Sequence, residues 1–483
     1  MPPVLTPAYR LVIRLEIDNL PGMFAEVAKA IAARGGSLGA IDLVEATPRK
    51  HVRDVTVDVP DEATGERLTQ ELTQLKGVVV RSVSDRTFLM HLGGKVAMAG
   101  RVAVRNRDDL SLVYTPGVAR VSRAIAADPD RAWALTQRAN AIAIISDGTA
   151  VLGLGNVGPL AALPVMEGKS LLFADLAGVS AFPIVIHPGT VDEIVDAVAR
   201  ISAGFGGINL EDIAAPACFE IERKLRERLD IPVFHDDQHG TAIAVLAGLR
   251  NAAAVCGVGL GDLKVVVLGA GAAGVATARL LQIAGAKGVI VVDRHGTVTT
   301  ARSDLNSEKR ALAGELGASG PSRPLADALK DANVLIGLSG PKLVSIDMIR
   351  TMGKPRIVFA MANPDPEVDP VATAAEVDVM ATGRSDFPNQ VNNVLAFPGV
   401  FRGLLDARAS TVTTNMELAA AAALADSVPA ELRSAEYILP SVFDAAVVPA
   451  MAKAVSAAAR ADGVARRSDR DAAPGAGGRP IAG

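Results

Sequence analysis

The sequence predicts an α/β protein with a ferredoxin-like N-terminal unit, a central α/β domain, a doubly wound Rossmann-type domain and a helical C-terminus. Three observations carry this prediction. About the first ninety residues read in the order βαββαβ, two later apolar runs end in adjacent carboxylates, and a third apolar run leads directly into a glycine-rich turn. With 483 residues, 49% of them hydrophobic, the chain has enough apolar material for two or three domains.

The charge balance and the cysteine content narrow the class of protein. Lys and Arg total 49 against 53 Asp and Glu, so the chain lacks the basic footprint of a nucleic-acid or membrane-surface binder. The two cysteines, Cys218 and Cys256, belong to no metal-binding pattern, which favours a reducing compartment. No run of about eighteen apolar residues and no signal-peptide pattern occurs. We therefore expect a cytoplasmic protein that acts on a small molecule, without nucleic-acid or membrane partners.

The N-terminal unit is predicted over residues 8–90. Its apolar patterns indicate four strands and two helices, in chain order 11–17, 23–34, 38–45, 52–59, 62–75 and 78–83. The loop after the first strand reads DNLPGMF, and Gly22 within it lets the backbone come close to a ligand. The unit with this turn resembles an ACT domain, a small-molecule-sensing regulatory module. The alternative is a ferredoxin-like domain used only for contacts between subunits.

Shifts in composition divide the rest of the chain. Gly93 and Gly94, followed by a charged stretch, end the first unit, and a second glycine-rich stretch precedes the Rossmann-type pattern. The last residues are rich in Arg, Asp, Gly, Pro and Ala without periodicity, which is typical of disorder. The predicted segments are a central α/β catalytic domain at 96–260, the Rossmann-type domain at 261–415, C-terminal helices at 416–463 and a disordered tail at 464–483.

Two pairs of adjacent carboxylates are the most informative polar feature. Glu211 and Asp212 come after one short apolar run, and Asp236 and Asp237 come after another, so each pair is expected in a loop at the end of a buried parallel strand. Open α/β sheets bind ligands at those carboxyl ends. Four carboxylates held together repel one another unless a cation lies among them, and an all-oxygen set suits Mg²⁺ or Mn²⁺ better than Zn²⁺. A solvated acidic pair is the ordinary alternative, but two pairs at matching strand ends favour a metal site.

A dinucleotide-binding turn is predicted directly after the apolar strand that ends at residue 268. The glycines of a Gly-x-Gly-x-x-Gly turn let the backbone approach a pyrophosphate, whose charge the N-terminus of the following helix favours. The next strand ends at Asp293, where a carboxylate is expected to hydrogen-bond the adenosine ribose. Asp293 favours NAD because it repels a 2′-phosphate, but Arg294 beside it could stack on adenine or contact such a phosphate, so NADP is the alternative. The residues of the turn are Gly269, Gly271, Ala272, Ala273 and Gly274.

Short motifs between about residues 110 and 403 resemble the malic enzyme family in its short bacterial form. In chain order they are SLVYTPGVA at 111–119, DG at 147–148, GLGN at 153–156, PVMEGK at 164–169, LED at 210–212, FHDDQHGT at 234–241 and FPNQVNN at 387–393. Seven motifs in the order of the family are not expected by accident. The resemblance implies a metal-dependent enzyme that converts malate and NAD or NADP to pyruvate, CO₂ and the reduced nucleotide.

The same resemblance implies roles for individual residues. Glu211, Asp212 and Asp237 would ligate the divalent cation, and Asp236 would act beside them as a supporting or catalytic carboxylate. Lys169 would be the base that takes the hydroxyl proton of malate. A nearby divalent cation lowers the pKa of an ammonium and so favours the neutral lysine that a base requires.

Four further residues follow from the resemblance. Tyr114 matches the acid that protonates the enolate at C3 after loss of CO₂. Asn363 and Asn392 match positions that hold the carboxylate or hydroxyl of the substrate, and Asn393 is included as a substrate contact. Each has an ordinary alternative, since a tyrosine could anchor a loop through its hydroxyl and asparagines are common in turns.

One position departs from the larger members of the family. They carry an arginine on the strand after the Asp-Gly motif, where it grips a malate carboxylate, but Ala150 stands at that position here. The departure resembles the shorter bacterial branch. It leaves open which cationic group receives the C1 carboxylate.

Two rival functions are open from the sequence. An ACT-regulated hydroxy-acid or amino-acid dehydrogenase that uses NAD or NADP would not need the carboxylates as metal ligands. A sensor that binds dinucleotide and effector without chemistry would not need Tyr114 and Lys169. For the enzyme we expect malate as substrate, a small-molecule effector at the ACT-like unit, and a homodimer or homotetramer.

Overall fold

The chain folds into two units. A computed structural model describes residues 7–151 and 153–466. The first unit ends at Ala97 and the second begins at Met98. At the end of the described chain, Ala465 forms an isolated bridge with Ala409. Disorder was predicted for 464–483, but residues 464–466 are ordered and paired, and residues 467–483 lie outside the described part of the chain.

The first unit is a four-stranded antiparallel sheet packed against helices. Its elements are β1 (Arg10–Asp18), α1 (Met23–Ala33), β2 (Ser37–Ala46), β3 (Lys50–Asp58), α2 (Glu62–Gln74), β4 (Val78–Asp85) and α3 (Arg86–His91). The strand order is β2-β3-β1-β4, which confirms the predicted βαββαβ arrangement. Ile13 and Leu15 alternate along β1 and are buried in one core with Val27 and Leu68 of the two longer helices.

The second unit begins with an exposed helical arm. This arm spans residues 98–131 and carries α4 (Arg107–Val113) and α5 (Val118–Ala127), and the short helix α6 (Ala132–Leu135) follows it. The side chain of Asn106 caps α4 by accepting the N–H of Asp109 at 2.8 Å. None of residues 98–131 is buried, although several are large and apolar, among them Met98 and Leu112. Exposed apolar stretches of this kind mark interaction surfaces.

A parallel sheet forms the central part of the second unit. Its elements are β5 (Ala141–Ser146), α7 (Pro159–Ala177), β6 (Ser180–Val185), α8 (Val191–Ile201), β7 (Gly207–Leu210), α9 (Ala217–Arg228), β8 (Val233–His235) and α10 (Asp236–Val255). The strand order is β6-β5-β7-β8, and every pairing is parallel. All of β5 and β7 is buried, as in sheets covered on both faces. Leu210 pairs with His235, so β7 and β8 end level with each other.

A doubly wound sheet follows. Its elements are β9 (Lys264–Leu268), α11 (Ala272–Ile283), β10 (Gly288–Asp293), β11 (Gly296–Thr297), α12 (Ser307–Glu315), α13 (Leu325–Leu329), β12 (Val334–Gly337), α14 (Ile346–Arg350), β13 (Ile357–Ala360), α15 (Pro370–Thr373) and β14 (Val379–Thr382). The order β11-β10-β9-β12-β13-β14 is parallel except for β11. The strand order reverses between β9 and β12, and open sheets bind ligands in the crevice at that point. The predicted Rossmann-type fold is confirmed.

Three C-terminal helices complete the second unit: α16 (Phe397–Ala407), α17 (Thr414–Asp426) and α18 (Val447–Ala461). α18 packs on α16 and α17, while α17 also packs on α10, which in turn packs on α11. The helix α10 therefore joins the central sheet, the doubly wound sheet and the C-terminal helices in one core. Among the described residues, no helix is both long and apolar enough to cross a bilayer.

One expectation about the second carboxylate pair is wrong. Asp236 and Asp237 were expected in a loop, but they form the first turn of α10, directly after His235 at the end of β8. The partial positive charge at a helix N-terminus stabilises carboxylates in the first turn, so the strand passes into the helix without a connecting loop.

Candidate active site

Four carboxylates meet at the carboxyl end of the central sheet. Glu211 and Asp212 follow β7, and Asp236 and Asp237 follow the neighbouring β8. Glu211, Asp212 and Asp236 are at most 5% exposed, whereas the side chain of Asp237 is 32% exposed. Oxygens of Glu211, Asp212 and Asp237 lie within 4.8 Å of one another, close enough to hold one metal ion. The three predicted ligands are thus brought together.

The backbone of Asp212 fixes the geometry of this group. Its φ of 53° lies in the left-handed region, where a residue other than glycine is uncommon. In that conformation its N–H donates a hydrogen bond of 2.8 Å to Oδ2 of Asp237. A strained backbone at a cluster of carboxylates is typical of a functional site.

Lys169 reaches into the cluster from α7. Its Nζ lies 2.6 Å from Oε2 of Glu211, pairs with Oδ2 of Asp236, and stands 4.4 Å from the ring centre of Phe397. Burial by itself lowers the pKa of Lys169, but the carboxylates of Asp236, Glu211 and Asp237 outweigh burial and hold the pKa above the ordinary lysine value. The lysine is therefore an ammonium in this arrangement.

The cluster carries more negative charge than Lys169 compensates. Burial raises the pKa of Glu211 and of Asp236 to about 7 and that of Asp237 to about 6, against the opposing effect of the ammonium. Within the part of the chain that the structure describes, Oδ1 of Asp236 is buried without a hydrogen-bond partner. Carboxylates that resist ionisation in this way fit a site in which a divalent cation supplies the missing positive charge.

Tyr114 is not packed into this cluster. It follows α4 on the exposed arm, and its side chain is 67% exposed. Within the described residues, its hydroxyl makes no hydrogen bond, and only its backbone is paired, with Leu110 and Val118. Its role as an acid stays a prediction.

The three asparagines lie in different settings. Asn363 is exposed at the end of β13, where glycines permit its close approach: a Cβ on Gly153 would come within 2.7 Å of its carbonyl oxygen. Asn392 uses its Oδ1 to accept the N–H of Val394 at 3.0 Å. The side chain of Asn393 lies against Gly240 in the first turns of α10, beside Asp236. The structure thus brings Asn393 to the carboxylates, and the substrate contacts of all three stay predictions.

The glycine turn after β9 has the shape that a dinucleotide requires. Gly269 has a φ of 119°, and a Cβ there would come within 2.3 Å of the carbonyl oxygen of Leu338 on the neighbouring strand connection. A Cβ on Gly274 would meet the carbonyl oxygen of Gly269 at 1.9 Å, whereas the space above Gly271 is open. Ala272 and Ala273 begin α11, so their backbone lies at the positive end of that helix.

A cavity of about 460 Å³ opens beside this turn. It is lined by residues 269–271 of the turn, by Asp293 and Arg294 at the end of β10, and by Asn306 and Lys309 at the start of α12. Of the predicted cofactor residues, Gly269, Gly271, Asp293 and Arg294 therefore share one cavity, whereas 272–274 do not line it. Asp293, however, is not free: Arg302 and Lys309 both pair with its carboxylate at 2.7 Å.

A buried ion-pair network behind the site was missed by the sequence analysis. Glu222 of α9 accepts hydrogen bonds from the backbone N–H of His235, from Gln238 and from Arg226, and it also pairs with His239. Burial raises the pKa of Glu222, but Arg226 and His239 outweigh it and hold that pKa well below its usual range. The network fixes the first turn of α10. The one signal in the sequence was an acidic residue on the apolar face of a predicted helix.

His239 extends this network to the C-terminal helices. Its two ring nitrogens lie 3.0 Å from Glu222 and 2.9 Å from Glu417 of α17. Burial lowers the pKa of His239, but the two carboxylates outweigh it and raise the pKa to about 10. A charged imidazole thus ties the carboxylate-bearing turn to α17, a contact between residues far apart in sequence.

A doubly wound dinucleotide fold beside a buried lysine and carboxylate cluster defines a nicotinamide-nucleotide-dependent oxidoreductase. Two family models match the chain: the N-terminal domain of malic enzymes over residues 94–190 and 187–226, and the NAD-binding domain of malic enzymes over residues 238–460. The chain belongs to the malic enzyme family.

Individual relatives agree with this assignment. The NAD-dependent malic enzyme of Geobacillus stearothermophilus is 48% identical over 96% of this chain and 97% of that protein, so the match includes most of the N-terminal unit. The bifunctional malic/malolactic enzyme of Bacillus subtilis is 49% identical over 77% of this chain and 92% of its own length. The crystal structure of the malic enzyme from Pyrococcus horikoshii superposes with a TM-score of 0.73 at 46% identity, covering 78% of this chain and 89% of that one.

Proposed function

We propose that this protein catalyses the oxidative decarboxylation of malate to pyruvate and CO₂ with reduction of NAD or NADP. The observation that carries the proposal is Lys169, held by Glu211 and Asp236 inside a buried carboxylate cluster that lies in the same unit as the glycine turn. The names of the family relatives point to malate as the substrate. The nucleotide, when bound at the glycine turn, accepts the hydride from C2 of malate.

A divalent cation, Mg²⁺ or Mn²⁺, would be held by Glu211, Asp212 and Asp237. Three carboxylates whose oxygens lie within 4.8 Å of one another match the hard oxygen ligands that these ions prefer. The cation would polarise the C2 oxygen and stabilise the enolate that remains after CO₂ leaves. The excess of negative charge around Lys169 supports this assignment, because nothing else in the described cluster compensates it.

Lys169 is placed to move the hydroxyl proton of the substrate. Asp236 and Glu211 hold Nζ at a fixed position, and the ring of Phe397 closes the other side of the ammonium. A base must first be neutral. The lysine can therefore accept a proton only when a cation bound to the cluster offsets the charge of the carboxylates and so lowers the pKa of the ammonium. Asp236, which pairs with Nζ, is the group that would receive the proton from Lys169 before catalysis.

The matching assay measures malate-dependent formation of NADH and NADPH with and without Mn²⁺. Turnover that requires both malate and the metal is expected. Nucleotide reduction with another hydroxy acid or an amino acid, independent of metal, would indicate the rival dehydrogenase. Nucleotide binding without any turnover would indicate a sensor.

Tyr114 is proposed as the acid that protonates C3. We expect Tyr114→Phe to impair pyruvate formation from malate more than the reduction of oxaloacetate to malate. Pyruvate formation needs protonation of the enolate, whereas reduction of oxaloacetate to malate does not. General acids contribute roughly 10²- to 10⁴-fold, so pyruvate formation should fall by about that factor. The measurement is the steady-state rate of each half-reaction in the variant and the parent protein. Equal losses in both would remove Tyr114 from the acid role.

A homodimer or homotetramer is proposed for the assembly. In the arm at 98–131, Met98 is 84% exposed and Leu112 is 74% exposed. Exposing such apolar side chains to water is unfavourable in free energy for a single chain. A second copy covering this arm would also bury Tyr114. Size-exclusion chromatography with light scattering gives the assembly directly, and a monomer that retains full activity would contradict the proposal.

The N-terminal unit is proposed to be an ACT-type regulatory domain. Gly22 has a φ of 90° and open space around it, so a β-branched residue there is strained by the backbone conformation rather than by crowding. We expect Gly22→Val to distort the turn at 18–24 and to remove most of the effector response. In allosteric proteins an effector usually changes the affinity for the substrate by about 5- to 150-fold, and this is the change that the variant should lose. Kinetics of both proteins across a panel of amino acids and central-carbon metabolites test this. An unchanged response would place effector sensing elsewhere.

A further inference from the structure

The carboxylate of Glu367 lies between the ends of two neighbouring strands of the doubly wound sheet. β12 and β13 pair in parallel, and their last residues, Gly337 and Ala360, are level with each other. Glu367 lies in the connection from β13 to α15 and is fully buried. Its Oε1 accepts the N–H of Ser339 at 2.9 Å, and its Oε2 accepts the N–H of Ala362 at 3.0 Å. One side chain therefore ties the connection after β12 to the connection after β13.

The backbone around Glu367 is built to hold this link. The N–H of Lys342 donates a hydrogen bond of 3.0 Å to the carbonyl of Pro366, and the N–H of Val344 donates one of 2.9 Å to the carbonyl of Glu367. Gly337 makes room for the carboxyl group, because a Cβ there would come within 2.5 Å of Cδ of Glu367. The last position of β12 thus lacks a side chain at the point where the carboxylate lies.

A glutamate is suited to this place by its two acceptor oxygens. Burial raises the pKa of Glu367, and the N–H groups of Ser339 and Ala362 oppose that rise. Within the described ranges, Glu367 forms no ion pair, so backbone donors alone stabilise its charge. An ionised carboxylate accepts hydrogen bonds on both oxygens, whereas the amide of glutamine accepts on only one. Only an acidic side chain can satisfy both N–H groups at once.

The two connections lead to different ligands of the proposed reaction. Ser339 lines the cavity of about 460 Å³ beside the glycine turn and also a second cavity of about 580 Å³ that shares residues 293–295 with it. The other connection carries Asn363, the predicted substrate contact, directly after Ala362. One oxygen of Glu367 therefore holds the wall of the nucleotide cavity, and the other holds the residue next to Asn363.

We propose that Glu367 is a positioning residue that couples nucleotide binding to malate binding. A nucleotide that packs against Ser339 fixes the carboxylate of Glu367, and the carboxylate fixes the backbone that presents Asn363 to malate. The inference rests on the proposed function, since it takes the nucleotide site and the substrate from there. Each ligand must then tighten the binding of the other by the same factor, and we expect about tenfold, within the usual range of such couplings.

The unreactive complex of the full-length protein with Mn²⁺, NADH and malate measures this coupling without turnover, because NADH already carries the hydride. Calorimetric titrations of malate with and without saturating NADH give the two affinities. Glu367→Gln should reduce the coupling from about tenfold to less than about twofold, because the amide leaves one N–H without an acceptor. Gly337→Ala should have the same effect, since the added Cβ displaces the carboxylate while its charge is kept.

Two controls separate positioning from a loss of stability. Ile349→Val removes one methyl group from the buried core of the same domain, so it should lower the unfolding temperature and leave the coupling unchanged. The double variant of Glu367→Gln and Gly337→Ala should lose no more coupling than either single variant, because both substitutions act on one contact.

Equal affinity of the parent protein for malate with and without NADH would overturn the inference, as would Glu367→Gln and Gly337→Ala variants that keep the full coupling. Loss of coupling in Ile349→Val would overturn it too, because general destabilisation would then be the cause. A parent protein that binds NADH but neither binds nor oxidises malate would refute the proposed function itself. A parent protein that oxidises malate without coupling would refute only the role of Glu367.

Discussion

Replacing Asp237 with asparagine should reduce malate turnover by about 10³-fold at a fixed Mn²⁺ concentration, because the cation loses one of its three charged ligands. Such a loss corresponds to about 4 kcal/mol of transition-state stabilisation, within the several kcal/mol that a Lewis-acid metal supplies. Asparagine keeps the shape of the side chain, so the hydrogen bond from the N–H of Asp212 can persist. The activity loss is then electrostatic rather than a loss of fold.

Thermal unfolding separates this effect from misfolding. In the parent protein, Mn²⁺ at about 100 times its dissociation constant should stabilise the fold by about 2.7 kcal/mol, and Asp237→Asn should lose most of that increment. Without metal the variant should be no less stable than the parent, because removing one carboxylate relieves repulsion with Glu211 and Asp236. Glu220→Gln, an exposed carboxylate on α9, is the control. A variant with normal turnover and a normal response to Mn²⁺ would falsify the metal assignment.

The sequence predicted the local structure well because local patterns determine it. The bounds of the six predicted elements of the first unit follow from apolar periodicity and turn residues, and the structure shifts them by at most a few residues. The gathering of Glu211 with Asp237 also follows from a local rule, since adjacent parallel strands end at one edge of the sheet. Such predictions need no knowledge of contacts between distant segments.

Contacts between distant segments account for what could not be predicted. The pairing of Lys169 with Asp236 joins α7 to α10, and the pairing of His239 with Glu417 joins α10 to a C-terminal helix. No local pattern in the sequence predicts which residue pairs with which. The neutralisation of Asp293 by Arg302 likewise depends on how the chain turns back after β11. A fingerprint carboxylate therefore fixes the place of the nucleotide but not its preference for NAD.

Replacing Lys169 with methionine should abolish malate oxidation almost completely, because the group that moves the hydroxyl proton is lost. Acid–base catalysis contributes roughly 10²- to 10⁴-fold, and both malate oxidation and oxaloacetate reduction should fall by that factor. Metal-dependent decarboxylation of added oxaloacetate requires no proton transfer at the C2 hydroxyl, so it should fall much less. Comparable losses in all three reactions would point to a collapsed site instead of a missing base.

The same substitution should also destabilise the protein, and in a pH-dependent way. Removing one partner of a buried ion pair costs about 3–5 kcal/mol, since Glu211 and Asp236 would remain buried without the ammonium. Burial already raises the pKa of both carboxyls to about 7, and loss of the ammonium raises it further. An acid whose pKa is higher in the folded than in the unfolded state loses stability as pH rises, so the loss should be small at about pH 5.5 and large at about pH 8. Mn²⁺ should restore the unfolding temperature at the higher pH without restoring turnover, whereas a stability loss that is the same at both pH values would show that these carboxyls do not depend on Lys169.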